Sequence, residues 1–101
     1  MVYLHVTLKV KQNKVERFCE ILSHIVPVLE RHGWKLVGAY QTQIGRLNTI
    51  VDLWQLPDAN AVQSVLEVAG QTPELQEWAP KLEECLEDEV LQIMTKVPYS
   101  P

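Results

Sequence analysis

Residues Leu36 to Trp54 form two strand-like runs on either side of Gly45-Arg46, and no other stretch limits the fold so tightly. A two-residue loop that begins with glycine predicts a type II′ hairpin, because glycine tolerates the positive φ needed at the first turn position. The two strands should be antiparallel neighbours. Side chains alternate across a strand, so Asn48, Asp52 and the indole nitrogen of Trp54 are expected to project from one face of the hairpin.

The flanking segments supply the rest of a small two-layer domain. Val2, Leu4, Val6, Leu8 and Val10 alternate with Tyr3, His5, Thr7 and Lys9, which reads as a strand with one apolar face. Asn13 with Glu16 predicts a capping box, and Val15, Phe18, Leu22, Ile25, Val26 and Leu29 follow at helical spacing to about His32. Pro27 should kink that helix, and Gly33 should end it in the left-handed conformation. Beyond the hairpin, Asp58 is placed to cap a helix that Gly70 closes, and Thr72-Pro73-Glu74 is a restart signal. Pro80 should interrupt this second helical region, dividing it into two or three pieces, before a final strand from about Val90 to Val97.

The order β-α-β-β-α-β predicts one α+β domain over residues 1–101, ferredoxin-like, with a four-stranded antiparallel sheet covered by helices on one face. If the even positions of the first strand meet the helices, Tyr3, His5 and Thr7 lie on the uncovered face. On the third strand, Asn48, Ile50, Asp52 and Trp54 are assigned to that same open face, and Thr49, Val51 and Leu53 to the covered one. A register error of one residue would reverse this assignment. An open face carrying Tyr3, Ile50 and Trp54 is an apolar patch that a monomer seldom exposes, so a twofold homodimer is expected, pairing sheet to sheet around a cavity.

Charge and composition narrow the function. The net charge of −4 with dispersed Lys and Arg argues against a nucleic-acid partner. No apolar run is long enough to span a membrane, and the start Met-Val-Tyr-Leu-His lacks the pattern of a signal peptide, so a cytoplasmic location without membrane association is expected. Cys19 and Cys85 lack any paired spacing and are expected to be buried or half-buried free thiols. There is no phosphate-binding glycine loop, nucleophile elbow or His-Glu-x-x-His, so neither a metal nor a nucleotide is expected. His5 and His24 stay open as haem ligands. The acidic residues Glu83, Glu84, Glu87, Asp88 and Glu89 read as a solvated helix face.

His5 and Asp52 are the candidate catalytic residues. An imidazole facing a cavity exchanges protons near neutral pH, and a carboxylate in an apolar strand must find a partner or be pushed towards its neutral form. On neighbouring strands of one face they would make an acid/base pair; alternatively, His5 lines the dimer interface and Asp52 joins a structural ion pair. Tyr3, Tyr40, Asn48 and Trp54 are the candidate ligand-binding residues, through stacking and polar contacts. Their bland roles are packing for the aromatics and completion of the turn for Asn48.

The run Lys35-Leu36-Val37-Gly38 through Ile44-Gly45, with Asn48 to Leu53-Trp54, resembles the signature of the NIPSNAP family within the dimeric α/β-barrel superfamily. Pro27 to Gly33 resembles that family's proline-containing helix end, and Val97-Pro98-Tyr99-Ser100-Pro101 resembles its chain ending. The resemblance implies a subunit that dimerises through its sheets, with a small-molecule cavity between sheet and helices or inside the barrel. Superfamily relatives include cofactor-independent monooxygenases, muconolactone isomerases, polyketide cyclases and haem-handling enzymes. After Val51 the family often carries histidine or another polar residue, and this chain has Asp52.

Two functions are expected on these grounds. One is a homodimer that binds a hydrophobic, oxygenated small molecule and acts on it without a cofactor, by proton transfer, cyclisation, isomerisation or monooxygenation. The other is a non-catalytic binding or interaction module.

Overall fold

Alternation in the first segment produces strand β1, Val2–Val10, whose even positions Leu4, Val6, Leu8 and Val10 are all buried. In the computed structural model, which describes residues 1–101, it is followed by helix α1 (Val15–Arg31), strands β2 (Lys35–Gln41) and β3 (Thr49–Leu56), helices α2 (Ala61–Ala69) and α3 (Pro73–Cys85), and strand β4 (Leu86–Met94). The strands form one antiparallel sheet in the order β2-β3-β1-β4. This is the ferredoxin-like arrangement, with its second helical segment divided in two. The molecule is a slab of 39 × 37 × 18 Å, the thickness of one sheet and one helical layer.

Helix α1 buries Phe18, Ile21, Ile25, Val28 and Leu29 against the sheet. It starts without a side-chain cap: Lys14 takes the N-cap position, and Asn13 instead sits in a turn at φ 67°. The expected capping box is therefore absent, because Asn13 spends its conformational tolerance on the left-handed turn. The other end follows expectation. Gly33 has φ 112°, its N–H donates to the Glu30 carbonyl and the Trp34 N–H donates to the Leu29 carbonyl, completing a Schellman motif.

Both internal prolines are carried inside continuous helices, Pro27 in α1 and Pro80 in α3. Pro80 therefore does not break the second helical region, which is divided only at Gly70 and Gln71, where Gly70 and the Thr72-Pro73 restart were expected to divide it. Both prolines are exposed, where the carbonyl each leaves without a helical donor can turn to water. Asp58 accepts the Ala61 N–H at 3.1 Å at the start of α2. Thr72 caps α3 by accepting the Leu75 N–H at 3.3 Å, with Pro73 in the first turn. Thr72→Ala is expected to cost about 1 kcal/mol in a urea titration, the usual value of a lost N-cap.

The hairpin differs from expectation in its turn and agrees in its register. A turn centred on Gly45-Arg46 pairs Ile44 with Leu47 and, three residues further out, Gln41 with Ile50, which is the pairing observed. The ladder nevertheless stops at Thr42 and Thr49, and residues 43–48 form a wider loop. Asn48 adopts φ 64°, and its carbonyl accepts the Val10 N–H at 2.8 Å. That bond ties the loop to the end of β1 and draws the backbone out of the hairpin. A register shift at Val37 then places Leu36 opposite Trp54 and so towards the helices.

Strand β4 runs from Leu86 to Met94, beginning and ending earlier than expected. It starts directly where α3 ends, so Glu87, Asp88 and Glu89 lie on a strand and not on a helix face. Cys85 is buried at the junction, whereas Cys19 on α1 is exposed, contrary to expectation.

Candidate functional site

Pairing decides which side chains share a face. Val6 lies opposite Asp52, Leu4 opposite Trp54 and Leu8 opposite Ile50. Because Leu4, Val6 and Leu8 face the helices, so do Ile50, Asp52 and Trp54. This reverses the expected assignment for β3. His5 lies opposite Leu53, and therefore Tyr3, His5, Thr7, Val51 and Leu53 occupy the open face. His5 and Asp52 point to opposite sides of the sheet and cannot form the acid/base pair that the sequence suggested. The covered set continues to Leu56 and the open set to Gln55, a contrast that marks the buried face of β3.

Asp52 is 6% exposed and is the one polar residue among the 19 buried positions. Burial in an apolar layer pushes its carboxyl up to about 6, with the charge of Glu89 as a smaller cause. No hydrogen bond or ion pair offsets that burial. Glu89 stands on β4 opposite Leu8, so the two carboxylates flank β1 on the helix side of the sheet. Its own pKa is also raised by desolvation.

Asp52 lines a cavity of about 190 Å³ between the sheet and helices α1 and α3. The walls include Leu4, Phe18, Leu22, Trp34, Trp54 and Ala79, and Asp52 and Glu89 are the only polar lining residues. Trp34 is fixed by donating its indole N–H to the Ala61 carbonyl at 2.9 Å, and it meets Trp54 edge to face at 5.3 Å. A second, wider cleft of about 510 Å³ opens between α1 and β2, and shares Phe18, Leu22 and Asp52 with the first. Asp52 thus stands where an apolar chamber meets a cleft bearing Ser23 and Gln41.

The remaining candidates divide between this site and the other face. Trp54 lines the chamber, whereas Tyr40 lies opposite Val51 on the open face and is 65% exposed. Tyr40 folds back over Gly38, where a Cβ would collide with its ring. Asn48 ends the β2–β3 loop, away from either space. Tyr3 lies on the open face with the Lys96 ammonium 5.8 Å from its ring. His5 is on that face as well, and its Nδ1 is buried without a hydrogen-bond partner. His24 is far from these residues in role, stacked at 4.0 Å on Trp78.

Glu89, Phe18 and Leu22 also line these spaces and are not among the candidates drawn from the sequence. The two apolar residues carry only the signature of helix packing. Glu89 was recoverable, since it alternates with Leu91 and Ile93 against Val90 and Gln92. No group of three or more His, Cys, Asp or Glu side chains comes together in a way that could hold a metal ion, and no helix is long and apolar enough to cross a membrane.

The NIPSNAP family model matches residues 3–101. A NIPSNAP domain protein from Burkholderia xenovorans has the same fold with a TM-score of 0.87 at 20% identity, over 100% of this chain and 99% of that one. A protein from Agrobacterium tumefaciens gives a TM-score of 0.90 at 22% identity, over 100% and 98% of the two chains. An antibiotic biosynthesis monooxygenase is similar at a TM-score of 0.71 and 14% identity, over 97% of this chain and 100% of that one. At these identities the likeness is one of fold. Comparison with curated proteins gives no match.

Proposed function

The chain belongs to the NIPSNAP family, and from that premise we propose that it binds a hydrophobic small molecule between sheet and helices, with Asp52 as the group that engages the ligand's polar atom. One observation carries this reading: a carboxyl that is 6% exposed, has no partner in the protein and borders an apolar cavity. Pockets of this kind combine apolar walls with few placed polar groups. A carboxyl titrating at about 6 also has the acidity of a general acid or base near neutral pH. The chemistry proposed for it is proton transfer on the bound ligand, as in an isomerisation or cyclisation that needs no cofactor.

A second copy of the chain is proposed to cover the open sheet face. Val51, Leu53, Val90 and Met94 give that face an apolar character, and Val90 and Met94 are 47% and 44% exposed. In this assembly His5 and Tyr3 serve the interface, and Asp52 serves the ligand.

Thermal shift with a panel of hydrophobic small molecules tests the cavity. A ligand present at a hundred times its Kd is expected to stabilise the protein by about 2.7 kcal/mol. Ala79→Phe, which fills the chamber from α3, is expected to weaken that binding at least tenfold while the protein stays folded by circular dichroism. Undiminished binding to Ala79→Phe would place the ligand elsewhere and overturn the assignment.

A further inference from the structure

The charge of the cavity wall names a ligand class. The spaces that meet at Asp52 are lined by two carboxylates, Asp52 and Glu89, and by no Lys, Arg or His. We infer that the site selects a hydrophobic ligand carrying a protonated amine, with Asp52 accepting the ammonium N–H and Glu89 adding negative potential at the rim. This rests on the cavity reading proposed above and adds to it the sign of the ligand's charge.

Three observations support it independently of one another. Asp52 is more than nine-tenths buried and lacks any cationic or hydrogen-bonding partner within the chain. An unpaired buried carboxylate is costly, and a cation delivered by the ligand is what compensates it. Next, an anionic ligand would find no counter-charge on the lining and two like charges facing it, so carboxylates and phosphates are disfavoured. Finally, the volume suits the apolar part: a cavity of ~150 Å³ holds a benzene ring in a well-studied case, and this chamber is about 190 Å³. A single ring or a short branched chain fills it, leaving the amine at Asp52, where the chamber opens into the cleft.

A matched series tests the inference. Phenethylamine, 2-phenylethanol and 3-phenylpropionate present the same ring with a cationic, neutral or anionic end, and their binding to the full chain can be followed near pH 7.5 by calorimetry and amide chemical shifts. The amine is expected to bind at least tenfold more tightly than the alcohol, and the carboxylate more weakly than either. In Asp52→Asn, an isosteric change, amine and alcohol should bind alike while the alcohol keeps its wild-type affinity. Alcohol binding equal to amine binding, or an amine preference that survives in Asp52→Asn, would overturn the charge assignment and leave the cavity reading standing. Absence of binding by all three would overturn both.

Discussion

Asp52→Asn is expected to stabilise the protein by about 2 kcal/mol at pH 8 and to leave it unchanged near pH 3, with the difference developing between pH 4 and pH 6.5. The carboxyl rises from an ordinary 3.8 to about 6 in the folded protein. A folded-state value above the unfolded one means that the native state holds the proton more tightly across that interval. Native stability therefore falls as pH climbs from the unfolded pKa through the folded one, and levels off above it. Asparagine has no charge to bury and escapes that loss. The full shift would correspond to about 3 kcal/mol, and contact with solvent through the cavity reduces it. For a domain of this size 2 kcal/mol moves the melting temperature by roughly 10 °C, so thermal melts of both proteins from pH 3 to pH 8 measure it directly. Parallel curves at all pH values would mean that Asp52 is not buried as a carboxylate.

Leu53→Lys is expected to weaken self-association at least a hundredfold, about 2.7 kcal/mol. Leu53 lies opposite His5 on the open face, near the middle of β3. A lysine there would bring an ammonium into the centre of an apolar sheet-to-sheet contact, with no carboxylate opposite it on β1. Sedimentation velocity at micromolar concentration separates dimer from monomer. Gln63→Lys, on the exposed side of α2, is the control and should leave the association unchanged. A wild-type protein that sediments as a monomer at that concentration would refute the sheet-to-sheet assembly outright.

These two residues show how far the sequence reached. Alternation from Val2 to Val10 and helical spacing from Val15 to Leu29 were legible because each arises within one segment, from the geometry of a strand or helix with one buried side. Thr72-Pro73 and Gly33 were legible for a similar reason, since caps depend on neighbouring backbone groups. Asp52 was selected correctly as the unusual residue of β3 and assigned to the wrong face. Thr49-Ile50-Val51-Asp52-Leu53-Trp54 carries apolar side chains on both faces, so alternation within that window could not say which side meets the helices. Glu89 was missed because β4 leaves α3 without a loop, and an acidic run after a helix resembles more helix.

Sequence alone determined the order of elements, the four-stranded antiparallel sheet and membership of the NIPSNAP family. The order and the sheet follow from period, capping and turn chemistry, which act over a few residues at a time, and the family from the match over residues 3–101. Tertiary structure alone decided that His5 and Asp52 are separated by the thickness of the sheet, that Asp52 and Glu89 flank β1 on the same face, and that an apolar chamber adjoins them. Pairing register and the covering helices set those relations. A shift of one residue in pairing moves a side chain from one face of the sheet to the other without changing the alternation that announces the strand.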